Sequence, residues 1–299
     1  MNIKKFLTKG WPTRLALYLG KVLPPYIAKT LVALVARLAV TVKSNMYHAM
    51  RTNLRHVVGP EMPDKELKRL LHHTFINALR GYYELFHNVG RGIDRVEDFH
   101  PPVRITPEVQ SYFQQGLAAG RGLLILGAHM SNFDLAGIGM TQHIPVPVQA
   151  LSLAAPPPGF EVFNRLRSKG HGFISPITPQ TLRDAMRRLQ GGGVVITGVD
   201  RPVGEGDEPV EFFGATAYLP TGYIRIPLIT DCLVMTVSFI YQDGVYWIMG
   251  NPPMEMVRTG DRRRDQEINL RRILSQIEGF IRRAPDQWMM FIPVWRDRS

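Results

Sequence analysis

The sequence is short of the residues from which several protein classes are built. It has one cysteine in 299 residues, Cys232, so no disulfide forms within the chain. The thiol's place in the apolar run CLVMTVSFI makes it a buried structural residue instead of a nucleophile. No suitably placed G-x-S-x-G occurs, which argues against a serine-hydrolase route through Ser131. The triple glycine at 191–193 lacks a following Lys-Ser or Lys-Thr and reads as a helix-ending turn, not a phosphate loop. Aromatic residues make up 9% of the chain and do not interleave with a basic stripe, as a single-strand nucleic-acid binder requires, so no nucleic-acid partner is expected. His72 and His73 are adjacent, point to different helix faces, and give no reason to expect a metal.

Negative charge is also scarce. Lys and Arg number 36 against 25 Asp and Glu, a formal charge of +11, which favours an anionic surface or substrate as partner. The cations Lys4, Lys5, Lys9, Arg14, Lys21, Lys29, Arg37 and Lys43 punctuate an apolar segment containing YIAKTLVALVARLAV. This pattern predicts an interfacial helix on an anionic membrane surface. Pro24, Pro25, Lys29 and Arg37 interrupt the roughly 20 uninterrupted apolar residues of a spanning helix. No A-x-A-like cleavage site follows a compact apolar core, so a signal peptide is not expected either. The expected location is the cytoplasmic face of the cell membrane. An amphipathic helix packed on the protein's own core is the alternative.

With 45% hydrophobic and 20% charged residues, the chain can bury a sizeable core. Residues 12 to 90 read as helical, with prolines at 12, 24, 25, 60 and 63 as breaks, and PDKELKRLLHHTFINALRGYYELF has apolar residues at helical spacing. From about residue 105 short apolar runs alternate with helical stretches, among them GLLILGA, VPVQALSL, TPQTLRDAMRRLQ and GVVITGVD. Alternation of this kind predicts an α/β fold: a mixed, mainly parallel sheet flanked by helices. CLVMTVSFIY and GVYWIMG flank Gln242-Asp243-Gly244 and read as a hairpin extending the sheet. DQEINLRRILSQIEGFIRRAP is the last long helix. PPPG at 156–159 and RPVGEGDEP at 201–209 read as loops. The expected organisation is a helical N-terminal region at 1–100, with its interfacial membrane helix, and an α/β core at 101–299, continuous with each other as one domain.

One constellation carries chemistry. After the strand RGLLILGA comes His129-Met130-Ser131-Asn132-Phe133-Asp134. Inside one regular helix His129 and Asp134 would sit about 140° apart and not touch. If the strand ends at Ala128 and Ser131 or Asn132 caps a helix, Asp134 falls in the first turn and can reach back to the imidazole. A carboxylate on one ring nitrogen fixes the tautomer and leaves the other as a general base for an alcohol.

These residues resemble the hallmark His-x4-Asp/Glu of the bacterial lipid A biosynthesis acyltransferase family, a branch of the lysophospholipid acyltransferase superfamily that also contains phosphatidylinositol mannoside acyltransferases. The resemblance runs from Arg51-Thr52-Asn53-Leu54, like the family's R-x-N-L, to Ala284-Pro285-Asp286-Gln287-Trp288, like its P-x-Q-aromatic signature. Phe163 to Gly170 looks like its basic segment, which makes Arg165 and Arg167 candidates for contacting phosphate or the acyl donor, as a planar guanidinium suits. Gly198-Val199-Asp200-Arg201 and Glu211-Phe212-Phe213-Gly214-Ala215-Thr216-Ala217 look like its Asp-bearing strand end and its F-F-G-x-P-A motif, with Thr216 in place of proline. Asp200 would share a sheet rim with His129 and orient an arginine or the acceptor. Glu211 and Asn132 are further substrate-binding candidates.

The resemblance implies an O-acyltransferase, with the α/β part at 101–299 as its acyltransferase core. His129, held by Asp134, deprotonates an acceptor hydroxyl that attacks the thioester of acyl-CoA or an acyl carrier protein, and amides near the helix start stabilise the oxyanion. No resident cofactor is expected. A thioesterase or lysophospholipid hydrolase, and a non-catalytic anionic-lipid-binding protein, are the rival readings. Acceptor identity, acyl length and donor type are left open by the sequence.

Overall fold

The computed structural model describes residues 10–153, 160–168, 171–204 and 206–296. Lys4, Lys5, Lys9 and the PPPG stretch at 156–159 lie outside them. The described residues open with four helices: α1 (Gly10–Val22), α2 (Pro25–Val42), α3 (Asn45–Val58) and α4 (Asp64–Gly90). Pro25 occupies the first turn of α2, where a missing N–H costs nothing and the fixed φ suits a helix. Ser44 caps α3 by accepting from the Tyr47 amide, which satisfies one of the end donors.

The α/β part follows as β1 (Val103–Ile105), α5 (Pro107–Ala118), β2 (Leu123–Gly127), α6 (Phe133–Gln142), β3 (Val148–Ser152), α7 (Phe160–Arg167), β4 (Gly172–Pro176), α8 (Pro179–Gln190), β5 (Val194–Gly198), β6 (Asp207–Phe212), β7 (Ala215–Pro220), α9 (Arg225–Thr230), β8 (Leu233–Gln242), β9 (Val245–Gly250) and α10 (Arg262–Arg283). Seven strands form one sheet in the order β1-β9-β8-β2-β5-β3-β4. The pairs from β8 through β4 are parallel, and β8–β9 is antiparallel. The hairpin expected at 242–244 joins β8 to β9, with Asp243 and Gly244 both at positive φ, as a two-residue turn matching the strand twist requires. The α/β class expected from the alternation is the one observed. The segment expected as a loop at 201–209 is a loop only in part, because Asp207–Pro209 already pairs with β7.

Alternating side chains of β2 feed two cores. Leu123 and Ile125 face a cluster with Leu85, Phe86, Leu135, Ile138 and Val148. Leu124 and Leu126 face one with Ala185, Leu189, Ile277 and Trp288. The strands are covered on both sides by helices, which is why they read as continuous apolar runs. A third cluster joins α2, α3 and the first half of α4 through Ala36, Val40, Met50, Leu54, Leu71 and Phe75.

The N-terminal helices are keyed to the end of the chain. Asn53, 1% exposed, donates to the carbonyls of Met290 (3.0 Å) and Ile292 (2.8 Å) and accepts from the Val294 amide (3.0 Å). Asn77 in α4 donates to the Asp286 carbonyl at 2.9 Å. Among the described residues one helix, α2, is long and apolar enough to cross a membrane by length and composition. Lys29 and Arg37, expected to interrupt such a span, lie exposed along an unbroken helix of 18 residues. At 1.5 Å per residue that is about 27 Å, close to the apolar thickness of a bilayer.

Candidate active site

The site forms where β2 and β5 end side by side, in the crevice at the strands' carboxyl ends that open α/β sheets offer to ligands. After β2 the chain turns through Ser131, whose φ is 54°, and enters α6. Asn132 caps that helix, accepting from the Leu135 amide at 3.2 Å, and donates to the Gly81 carbonyl of α4 at 2.9 Å. The turn is also stitched to the chain's last segment. Ser131 N donates to Gln287 O (2.6 Å) and Met289 N to His129 O (2.8 Å). Gln287 is itself fixed on β8, its side chain exchanging two hydrogen bonds with the Tyr241 backbone.

This turn aims the His129 ring across the sheet rim at Asp200, not along α6. His129 Nδ1 lies 2.6 Å from Asp200 Oδ1, and its backbone amide donates to Oδ2 at 2.9 Å. Trp288 Nε1 donates to the same Oδ2 at 2.8 Å. Asp200 is fully buried. Burial, the largest single influence, pushes its carboxyl up, but the His129 ring and the hydrogen bonds from His129 and Trp288 together hold it below the usual carboxylate range. An ionised Asp200 accepts a hydrogen bond from Nδ1–H, which fixes the tautomer and leaves Nε2 with its lone pair.

Asp134 was expected to be the partner of His129, and the structure pairs it elsewhere. It sits in the first turn of α6, as expected, but on the side facing α7, where its carboxylate binds the guanidinium Nε of Arg167. Asp200, expected to orient an arginine or the acceptor, has its oxygens occupied by His129 and Trp288. Asn132, expected among the substrate contacts, is 5% exposed and acts as a helix cap turned inward. Arg165 is exposed on α7 and does not line the cavity beside His129, whereas Arg167 does. Glu211 is exposed on β6, 3.9 Å from Arg271. Strand alternation turns Val210 and Phe212 inward and leaves Glu211 on the outer face.

A cavity of about 230 Å³ begins at the His129 ring and runs between α6 and the ends and faces of β3, β4 and β5. Phe133, Ile138, Met140, Val148, Ile174 and Phe239 give it an apolar lining, with Arg167 and Arg201 as its two guanidinium groups.

Three residues with a part in this site escaped the sequence reading. A Cβ on Gly198 would lie 2.5 Å from His129 Cε1, so only glycine leaves room for the ring. A glycine ending a strand is the sequence sign of close approach. Trp288 belongs to a quoted signature, yet its role as a donor to Asp200 depends on a fold that joins residues 88 positions apart. Gly137 lines the cavity, and a Cβ there meets nothing within 4 Å.

A mainly parallel α/β sheet whose rim carries a His–Asp pair above an apolar cavity is an arrangement able to move a proton to or from a group held by an apolar arm. The sequence profile of the bacterial lipid A biosynthesis acyltransferase family matches residues 5–297, and the chain belongs to that family. Its chemistry is therefore acyl transfer in lipid biosynthesis. No curated protein matches it in sequence. Among solved structures it is similar to the 1-acyl-sn-glycerophosphate (LPA) acyltransferase PlsC from Thermotoga maritima, with 13% identity, a TM-score of 0.36, and coverage of 85% of this chain and 97% of that one.

Proposed function

We propose that the protein transfers a fatty acyl group from a thioester, acyl-CoA or an acyl carrier protein, to a hydroxyl of a glycolipid or lysophospholipid at the cytoplasmic face of the membrane. The observation that carries this reading is the 2.6 Å contact of His129 Nδ1 with a buried Asp200 at the head of an apolar cavity. His129 Nε2 removes the acceptor proton, and the oxygen attacks the thioester carbonyl. The tetrahedral oxyanion is met by amides at the start of α6, and collapse expels the thiolate, which the imidazolium protonates. Asp200 stabilises the imidazolium in between. Asp134 acts one step away, holding Arg167 over the cavity.

The cavity takes the acyl chain. Membrane association is supported by α2, whose small residues Ala28 and Ala36 with Val40 face inward, while Tyr26, Leu34, Leu38 and Val42 are 57 to 72% exposed. An outer apolar face of this size has no use for the protein's own core.

The test is acyl transfer from a labelled acyl-CoA series, and the same chains on carrier protein, into extracted bacterial lipids. Acylated lipid formed by the native chain and lost in His129→Ala supports the transferase. Free fatty acid alone, lost in the same variant, makes the protein a hydrolase, and equal signals in both remove His129 from the chemistry.

A further inference from the structure

We infer that Tyr223 is a positioning residue of the site: its buried hydroxyl donates, through one enclosed water, to the acceptor position that Asp200 has left, and so sets how strongly the His129–Asp200 pair holds a proton. The inference rests on the acyl-transfer reading and deepens it, because it adds a member to the proton-carrying pair from an element outside the cavity.

The Asp200 carboxylate is not saturated. An ionised carboxylate offers about four lone-pair sites. Oδ2 accepts from the His129 amide at 2.9 Å and from Trp288 Nε1 at 2.8 Å, and Oδ1 accepts from the imidazole at 2.6 Å. One site on Oδ1 is left, and Asp200 is fully buried, so bulk solvent does not fill it.

Tyr223 is the complementary case, a donor without an acceptor. The residue is 7% exposed, and among the described residues its buried hydroxyl makes no hydrogen bond. A phenylalanine would fill the same space beside Val199, Phe212 and Trp288 without the cost of burying a hydroxyl unmatched. An ordered water meets a buried polar atom of this kind, provided that it finds at least two polar partners. The Asp200 charge is felt at the phenol: burial first, and Asp200 after it, push the Tyr223 hydroxyl above the ordinary tyrosine range. With one carboxylate site open and one O–H unspent in the same buried region, a single water satisfies both.

The fold brings the two residues together through one joint. Asp200 follows β5 and leads into a loop whose amides at Val203 (3.1 Å) and Gly204 (2.9 Å) donate to Asp207. Asp207 pairs with Pro220 at the end of β7, and Tyr223 comes next in the short 3-10 helix Gly222–Ile224. Thr221, just before that helix, donates to Glu208 of β6, which fixes the approach. Tyr223 does not line the cavity, so it acts on the reaction through Asp200.

A donor pointed at Asp200 spreads the carboxylate's negative charge and leaves less of it to hold an imidazolium. Removing the donor strengthens the grip on the proton, so the free base forms only at a higher pH. Tyr82 from α4, Asp134 from α6, Arg167 from α7 and Arg201 from the loop after β5 are the other titratable or charged groups at this end of the cavity. They are the same in every variant compared, so a difference between variants does not come from them.

The test compares the full native chain with Tyr223→Phe, Asp200→Asn and the variant carrying both changes. The pH titration of the His129 ring is followed by NMR of histidine-labelled protein, with His129→Ala identifying its signal among the nine histidines. The pH profile of kcat/KM for acyl-thioester turnover is recorded beside it. In Tyr223→Phe the titration midpoint and the acid limb of the profile are expected to move up together by about half a unit to one unit, a part of what a hydrogen bond to a charged group carries. KM is expected to hold, and a melting curve to show the variant folded, since the ring that fills the core is kept. In the Asp200→Asn background, where there is no charge to spread, the same change at Tyr223 is expected to move nothing. A midpoint that stays or falls in Tyr223→Phe overturns the inference. An equal rise in the Asp200→Asn background also overturns it, because the hydroxyl would then act elsewhere. The NMR readout needs no turnover. A midpoint that rises while the acid limb stays still supports the link from Tyr223 to Asp200 and removes His129 as the base, so the two failures are separately visible.

Discussion

A methyl group at position 198 would lie 2.5 Å from His129 Cε1, inside any real contact distance, so the reach of the imidazole is set partly by an atom that is missing. Gly198→Ala is expected to push the ring off Asp200 and lower kcat by about 10²-fold, the usual cost of misplacing a reacting group by about 1 Å. The fold is expected to survive, since the ring is the far end of a movable side chain. Steady-state kinetics beside a melting curve check both halves. The two aspartates make a sharper comparison. If Asp200 sets the tautomer, Asp200→Asn loses about 10²- to 10⁴-fold in kcat, whereas Asp134→Asn loosens Arg167 and is felt mainly in KM. The reverse order would return Asp134 to the imidazole. The sequence made His129 and Asp134 legible through their spacing and through resemblance, but not their partners. Spacing along a chain cannot register a Ser131 φ of 54°, which turns the ring toward a residue 71 positions away.

Helix α4 supports the catalytic turn through one buried group. Glu84, 7% exposed, accepts from the Tyr246 hydroxyl of β9, lies 3.7 Å from Arg80, and is influenced by the side chain of Asn132, the cap of α6. Burial pushes its carboxyl up to about 7, with Tyr246, Arg80 and Asn132 pulling the other way. A raised carboxyl favours the protonated form in the folded chain. Its contribution is fully present below the unfolded value of about 4.3 and is lost as pH rises from there to about 7. Urea unfolding of the native chain and Glu84→Gln is expected to show their stability difference shifting against the native chain by up to about 3 kcal/mol between pH 4.5 and pH 8. A difference that stays flat means that Arg80 keeps the carboxyl ionised throughout. Helix α6 governs the cavity itself. Gly137 lies a turn beyond Phe133 and faces open space, so Gly137→Phe fills the middle of the chain channel. Competition between acyl chains is expected to move toward shorter ones, and an unchanged preference would place the acyl chain elsewhere. The helices were legible because each buries a face with its own period, and the central strands because, covered on both sides, they are continuous apolar runs. Asn132 was expected to touch substrate, and nothing in its local sequence shows that Gly81 O waits 51 positions away.

At the scale of the molecule, the N-terminal helices serve two partners at once. Their inner side is tied to the chain's end through Asn53 and Asn77, and that end carries Gln287 and Trp288, which position the His129 turn and Asp200. The two motifs quoted at opposite ends of the sequence are thus one joint, and the helices are part of the site's scaffold instead of an appended anchor. Their outer side is a separate matter. Leu34 and Leu38 are 63% and 61% exposed, one turn apart on α2, with the cations Lys29 and Arg37 on the same helix. Replacing both leucines with glutamate removes little internal packing, so the melting temperature is expected to stay within a degree or two, the shift that a few tenths of a kcal/mol produces in a domain of this size. Sedimentation with phosphatidylglycerol vesicles is expected to be lost, because the change removes apolar area and adds like charge against an anionic surface. Turnover of a detergent-dispersed substrate is expected to persist, since the joint through Asn53 and Asn77 is untouched. A variant that melts early while still sedimenting would show that this face of α2 packs against protein and that the membrane meets the molecule elsewhere.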